Sequence, residues 1–161
     1  MTVQEYNRCV DLYSDGVFRF ILKNMKDEEK AKDIVQESYE KLWVKADGIS
    51  FQKAKSYIFS TAYHTMIDDI RKNKRLTELE EADMHEPSYT DDYKGLNDIL
   101  EEALNQLPDI QKSVVLLRDY EGYSYEEIST ITGLNESQVK VYIYRARMKM
   151  KKYIGSIEKV L

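Results

Sequence analysis

The sequence predicts an all-α protein in which two small helical domains are joined by an acidic linker. Three observations lead there. The 161 residues include only 6 glycines and 2 prolines, too few chain-breaking points for many short strands. Apolar residues recur at three- and four-residue steps in successive stretches, the spacing of one helix face. Charge is also segregated along the chain. The formal net charge is -5, yet residues 1–76 carry 14 basic and 12 acidic side chains, and residues 107–161 carry 9 and 7. The acidity sits between them, where residues 77–106 hold 10 acids and 1 lysine.

The first module, residues 1–76, reads as three helices. From Glu5 to Met25 the apolar stripe is Val10, Tyr13, Val17, Phe18, Ile21 and Leu22. A second pattern, DEEKAKDIVQESYEKLWVKA, opens with acids that suit a helix N-terminus. Its stripe is Ala31, Ile34, Val35, Tyr39, Leu42 and Trp43. The third pattern, from Lys53 to about Lys74, lines up Ile58, Phe59, Ala62, Met66, Ile67 and Ile70. It ends in Arg71, Lys72, Lys74 and Arg75. Cations favour a helix C-terminus, and a run this dense also suits phosphate contact. Residues 77–96 follow with weak periodicity, Pro87 and Gly95, and read as a linker rather than a loop inside one domain.

The second module, residues 97–161, is more sharply punctuated. A helix near Asn97–Gln106 meets Pro108, which suits the first turn of the next helix. That helix, DIQKSVVLLRDYEG, stops at Gly122. Ser124 is an N-cap with Glu127 at capping-box spacing. Gly133 ends a short helix by turning left-handed, and Asn135 caps a long basic helix. A short helix, a glycine turn and a longer basic helix make a helix-turn-helix pattern.

Packing Ile128, Ile131 and Leu134 against Val139, Ile143, Ala146 and Met150 fixes which face points outward. Ser137, Val141, Tyr144, Arg145 and Met148 then face away, with Gln138 and Lys140 at the edges. Arg pairs with guanine, Gln with adenine, and Val or Tyr packs on a thymine methyl. Lys149, Lys151 and Lys152 continue the positive charge along a phosphate backbone. The bland alternative is a helical hairpin with a solvated basic face.

At this point the chain resembles a known family. The run LNQLPDIQKSVVLLRDYEGYSYEEISTITGLNESQVKVYIYRARMKMKKYI resembles region four of the extracytoplasmic-function sigma factors of bacterial RNA polymerase. EEKAKDIVQESYEKLW and KAKSYIFSTAYHTMIDDIRKNKR resemble that family's region two. The resemblance implies that Asp33, Gln36, Glu37 and Trp43 dock on the clamp helices of the polymerase's largest subunit, with a further contact to the flap of the second subunit. For Trp43, core packing is the competing role. The resemblance also implies that a loop at Phe51–Tyr57, with Lys53 and Lys55, and the helix after it melt the minus-10 promoter element. Ser60, Tyr63, His64 and Arg71 then join Lys72, Lys74 and Arg75 around an unstacked base and its phosphates. Asp68 and Arg71 could equally form a helix salt bridge. At the minus-35 element the implied readers are Lys140, Val141, Tyr144 and Arg145, the same face that spacing selects. The linker is similar to a segment that threads toward the RNA exit channel. At Tyr63, His64, Val141 and Tyr142 the chain departs from residues common in the family, which leaves the promoter sequence open.

The expected function is therefore a promoter-specificity subunit, with core polymerase, promoter DNA and an anti-sigma protein as implied partners. Two rivals remain: a regulator acting without polymerase through the helix-turn-helix alone, which leaves the first module's motifs unexplained, and a sigma mimic that titrates an anti-sigma factor, against which the basic and aromatic readers count. No nucleophile–base set, phosphate-binding glycine loop or small-molecule site is visible, so an enzyme is not expected. Cys9 is the lone cysteine, which removes internal disulfides and cysteine-based zinc sites. His64 and His85 make no metal pair, and no metal or cofactor is expected. With no apolar stretch near the ~18 residues of a membrane span and no signal-peptide pattern, the expected location is the cytoplasm.

Overall fold

The structure, a computed structural model, describes residues 1–79 and 95–158. Among them are seven α-helices and no strand. Helix α1 spans Val3–Met25; the Thr2 side chain accepts from the Glu5 amide while Glu5 accepts from Thr2, a full capping box. Helix α2 spans Glu28–Val44 and is capped by the Asp27 carboxylate on the Lys30 amide. A 3-10 turn at Ala46–Gly48 leads into α3, Phe51–Leu79. Helix α4 covers Leu96–Asn105 and α5 covers Asp109–Val115, continuing as a wider π turn over Leu116–Tyr120. The pair α6, Tyr125–Thr132, and α7, Glu136–Glu158, forms the helix-turn-helix.

Several expectations shift in detail. Phe51–Tyr57, expected as a loop, already forms the first turns of α3. Helix α3 runs on to Leu79, and α4 begins at Leu96, so helix enters both edges of the stretch assigned to the linker. The interior of that stretch, with Pro87 and His85, lies outside the described residues. Pro108 stands at the N-cap of α5 with extended ψ of 150°, one residue before the helix. Its fixed φ suits either place, and the missing N–H costs nothing at a position that makes no helical bond.

Phe20, Ile21, Leu42, Ile58 and Met66 fill the space between α1, α2 and α3, while Leu104, Leu116, Leu117, Ile128, Ile131 and Ile143 fill the second module. In α1 the buried face is rotated from the expected stripe, so Cys9 and Phe20 are fully enclosed while Val10 and Phe18 are only partly so. Burial also raises the Cys9 thiol above its ordinary pKa, as suits a small apolar filler. The two fillings join into one cluster, because the Tyr123 ring of the second module packs edge-on against Phe59 of the first at 5.0 Å.

Local signals in the helix-turn-helix are realised as written. Ser124 and Glu127 cap each other's backbone at 3.1 Å, and Gly133 adopts φ +82°. Ser124→Ala is expected to cost about 1 kcal/mol. Thermal unfolding would show it as a midpoint lower by about 2–4 °C.

Candidate nucleic-acid and polymerase interfaces

The long helix α7 is fixed at its N-terminus by side-chain caps. The Asn135 side chain accepts from the Gln138 amide at 2.8 Å, and the Gln138 side chain accepts from the Asn135 amide at 3.1 Å. That closes a capping box with glutamine in place of glutamate. It also engages the carbonyl of Gln138 and leaves its amide NH2 as the group available to a base. Val139, Ile143 and Ala146 are buried, so the other side of the helix is presented outward. Ser137, Lys140, Val141, Tyr144 and Arg145 all lie exposed on it. Arg145 forms no ion pair with a described residue, whereas Arg147 is tied to Asp119 through Nε at 3.0 Å. Tyr125 collects two cations, with the Arg118 guanidinium 4.5 Å and the Lys140 ammonium 5.6 Å from its ring centre. Neither the Arg147 tie nor the Tyr125 platform has a sequence signature, since both join residues across the turn.

On α3 the basic and aromatic candidates sort by helical position. Lys53, Tyr57, Ser60, His64, Arg71 and Arg75 recur at steps of three, four or seven, which places them along one stripe about 33 Å long. Tyr57, Ser60 and His64 line a cleft of about 490 Å³ against α2, closed on the far side by Glu40, Lys41 and Val44. His64 Nδ1 lies 2.8 Å from the Ser60 carbonyl. A carbonyl only accepts, so Nδ1 carries the proton and Nε2 is the free atom in the cleft. Lys72 and Lys74 are exposed beside the stripe, and no ion pair joins Arg71 to Asp68 among the described residues.

Three of the expected readers sit elsewhere. Tyr63 is only 6% exposed, because its position follows Phe59 and Ala62 into the core. Burial raises its phenol pKa, with Arg71 and Asp109 making smaller and opposite contributions. Lys55 lies at the contact between modules, its ammonium 4.7 Å from the centre of the Tyr123 ring. Phe51 is half-buried beneath the Arg8 guanidinium at 5.4 Å.

The outer side of α2 is polar and aromatic. Asp33, Gln36 and Glu37 are exposed, with Glu37 paired to Lys41 at 3.3 Å and Gln36 donating to Glu40 at 3.3 Å. Trp43 is 52% exposed and meets Tyr6 edge-to-face at 5.0 Å. Val44 next to it is exposed too, an apolar residue that no periodicity singles out. Among the described residues no group of three His, Cys, Asp or Glu could hold a metal, and no helix is long and apolar enough to cross a membrane.

Residues 9–76 match the family model for Sigma-70 region 2, and residues 97–150 match that for Sigma-70, region 4. The chain is similar to RNA polymerase sigma factor SigV of Bacillus subtilis (strain 168), with 31% identity over 89% of this chain and 87% of that one. ECF RNA polymerase sigma factor SigM of the same organism is 26% identical over 94% of both chains. In fold it resembles sigma factor RpoE, whose structure was solved in complex with the anti-sigma factor NepR from Bartonella quintana. The TM-score is 0.81 at 22% identity, over 95% of this chain and 98% of that one. Two sigma modules in this order, carried by a relative of near-equal length, leave one assignment: the chain belongs to the extracytoplasmic-function sigma factors of RNA polymerase.

Proposed function

We propose that this sigma factor docks on core polymerase through the outer side of α2 and reads a two-part promoter with α3 and α7. The observation that supports this reading is that each module carries basic side chains along one outward side of a helix. One is the stripe from Lys53 to Arg75 beside the α2–α3 cleft; the other is the Ser137–Arg145 side of α7. Asp33, Gln36, Glu37 and Trp43 contact the clamp helices, and the second module contacts the flap. His64 Nε2 and the Tyr57 ring receive the unstacked base of the minus-10 element, while Arg71, Lys72, Lys74 and Arg75 hold phosphates. The protein acts in the cytoplasm as a specificity subunit rather than an enzyme, and an anti-sigma protein restrains it by covering both modules. A regulator working without polymerase would leave the first module unused.

Run-off transcription on sheared genomic DNA, with and without the protein, tests the reading. New discrete transcripts sharing two upstream elements support it; silence with no polymerase binding refutes it. Changing Arg71 and Arg75 together to alanine is expected to lower the salt slope of holoenzyme–promoter binding by about 2. An unchanged slope would remove both residues from the phosphate contact.

A further inference from the structure

One side chain of the recognition helix has its chemistry restricted by the cap that it helps to form. The Gln138 side chain accepts from the Asn135 backbone N–H at 3.1 Å, while the Asn135 side chain accepts from the Gln138 N–H at 2.8 Å. A backbone N–H only donates, so the atom facing it is the amide oxygen, and the orientation of the Gln138 amide is thereby fixed. Its oxygen is occupied. Its NH2 bonds no described residue, and Gln138 is exposed. The turn beneath the cap is tied as well: the Ser129 hydroxyl donates to the Leu134 carbonyl, the Leu134 N–H to the Thr132 hydroxyl at 3.3 Å, and the Gly133 N–H to the Ser129 carbonyl at 2.9 Å. Turn and cap are formed before any partner arrives, so Gln138 loses little freedom when it binds.

Gln138 shares a line along α7 with Val141 and Arg145, three and seven residues further on, and all three are exposed. On that line Arg145 offers donors and Val141 offers methyl groups. The pairing glutamine ordinarily makes with adenine needs an acceptor for the N6 amino group and a donor for N7. With its oxygen on the Asn135 N–H, Gln138 keeps only the donor half. Turning the amide to recover the acceptor would leave that N–H unpaired, a loss that an adenine contact would have to offset.

We propose that Gln138 is a donor-only specificity residue that selects guanine over adenine at the base it meets; the assignment rests on the reading of the upstream element by α7 proposed above. Guanine presents two acceptors to the major groove, N7 and O6, and no donor. Adenine sets its N6 amino group beside N7, where it opposes the Gln138 NH2. Thymine O4 accepts, which ranks thymine second, and cytosine offers an amino group alone. The cap therefore does two things at once: it starts the helix and it decides which half of the glutamine amide is left for DNA.

Gln138→Glu separates the two roles. A glutamate at this place in a capping box keeps the Asn135 N–H satisfied, while the remaining group changes from a donor to an acceptor. The readout is run-off transcription by the holoenzyme from the promoter recovered above, with each of the four bases in turn at every position of the upstream element. Wild type is expected to favour guanine over adenine about five-fold at one position. Gln138→Glu is expected to favour cytosine there, whose N4 amino group donates to a carboxylate. Its melting temperature should stay at the wild-type value, and its transcription should be lower overall because a new negative charge meets DNA. Gln138→Ala is expected to level guanine and adenine at that position. A wild-type preference for adenine where the variants alter selectivity overturns the proposal, since adenine pairing requires the cap to open. Base profiles of both variants that match wild type at every position overturn it too, because Gln138 then meets no base. If wild type transcribes equally well whatever the upstream element contains, the reading of that element by α7 fails, and the role of Gln138 with it.

Discussion

Trp43→Ala is expected to lower affinity for core RNA polymerase by about 30-fold or more, the loss typical of a central tryptophan anchor. The indole is half exposed yet held in place, because its edge meets the Tyr6 ring at 5.0 Å. Tyr6 is itself fixed by donating to the Tyr39 carbonyl at 2.9 Å. An exposed aromatic that is already ordered loses little entropy when a partner covers it. Val44 widens the apolar patch, and Asp33, Gln36 and Glu37 supply the polar rim around it. The stability cost of removing the ring pair is about 1 kcal/mol, against about 2 kcal/mol for a loss of about 30-fold in affinity. Titration of labelled protein with core polymerase, set beside thermal unfolding, separates the two effects. A large fall in melting temperature with unchanged polymerase affinity would make Trp43 a packing residue.

Local chemistry made the second module legible. Ser124, Glu127, Gly133 and Asn135 each act within a few residues of themselves, and caps and turns depend on little else. The outward side of α7 followed because Val139, Ile143 and Ala146 repeat with the helical period and are buried. The first module was harder. In α2 a serine occupies the core: Ser38 is fully buried because its hydroxyl donates to the Ile34 carbonyl at 2.6 Å. A hydropathy pattern counts that residue as polar, which turned the expected stripe toward Trp43. Tyr63 failed in the opposite sense, since a phenol reads as a stacking group until the neighbouring helices are known to enclose it. Tyr123 owes its place to a residue that is distant in the chain, Phe59, whose ring it meets at 5.0 Å. No local rule reaches that far, and the packing of one module on the other is therefore what the sequence concealed.

Arg145→Ala is expected to cut transcription from the cognate promoter about 5- to 150-fold, the equivalent of removing one bidentate pairing with a base. Core-polymerase affinity and melting temperature should stay the same, because Arg145 is exposed and bonds to no described residue. Arg147→Ala serves as the internal contrast. Its guanidinium ties α7 to Asp119 near the end of the π turn, so removing it loosens the seat of the reading helix and lowers stability. Lys149→Ala gives a second contrast: if Lys149 grips a phosphate, its removal weakens every promoter alike and lowers the salt slope by about 1. Base reading therefore has its own signature, a large effect confined to sequences that carry the matching base, with stability preserved. If Arg145→Ala instead weakens polymerase binding as much as transcription, this side of α7 faces protein, and the upstream element is read by another part of the helix.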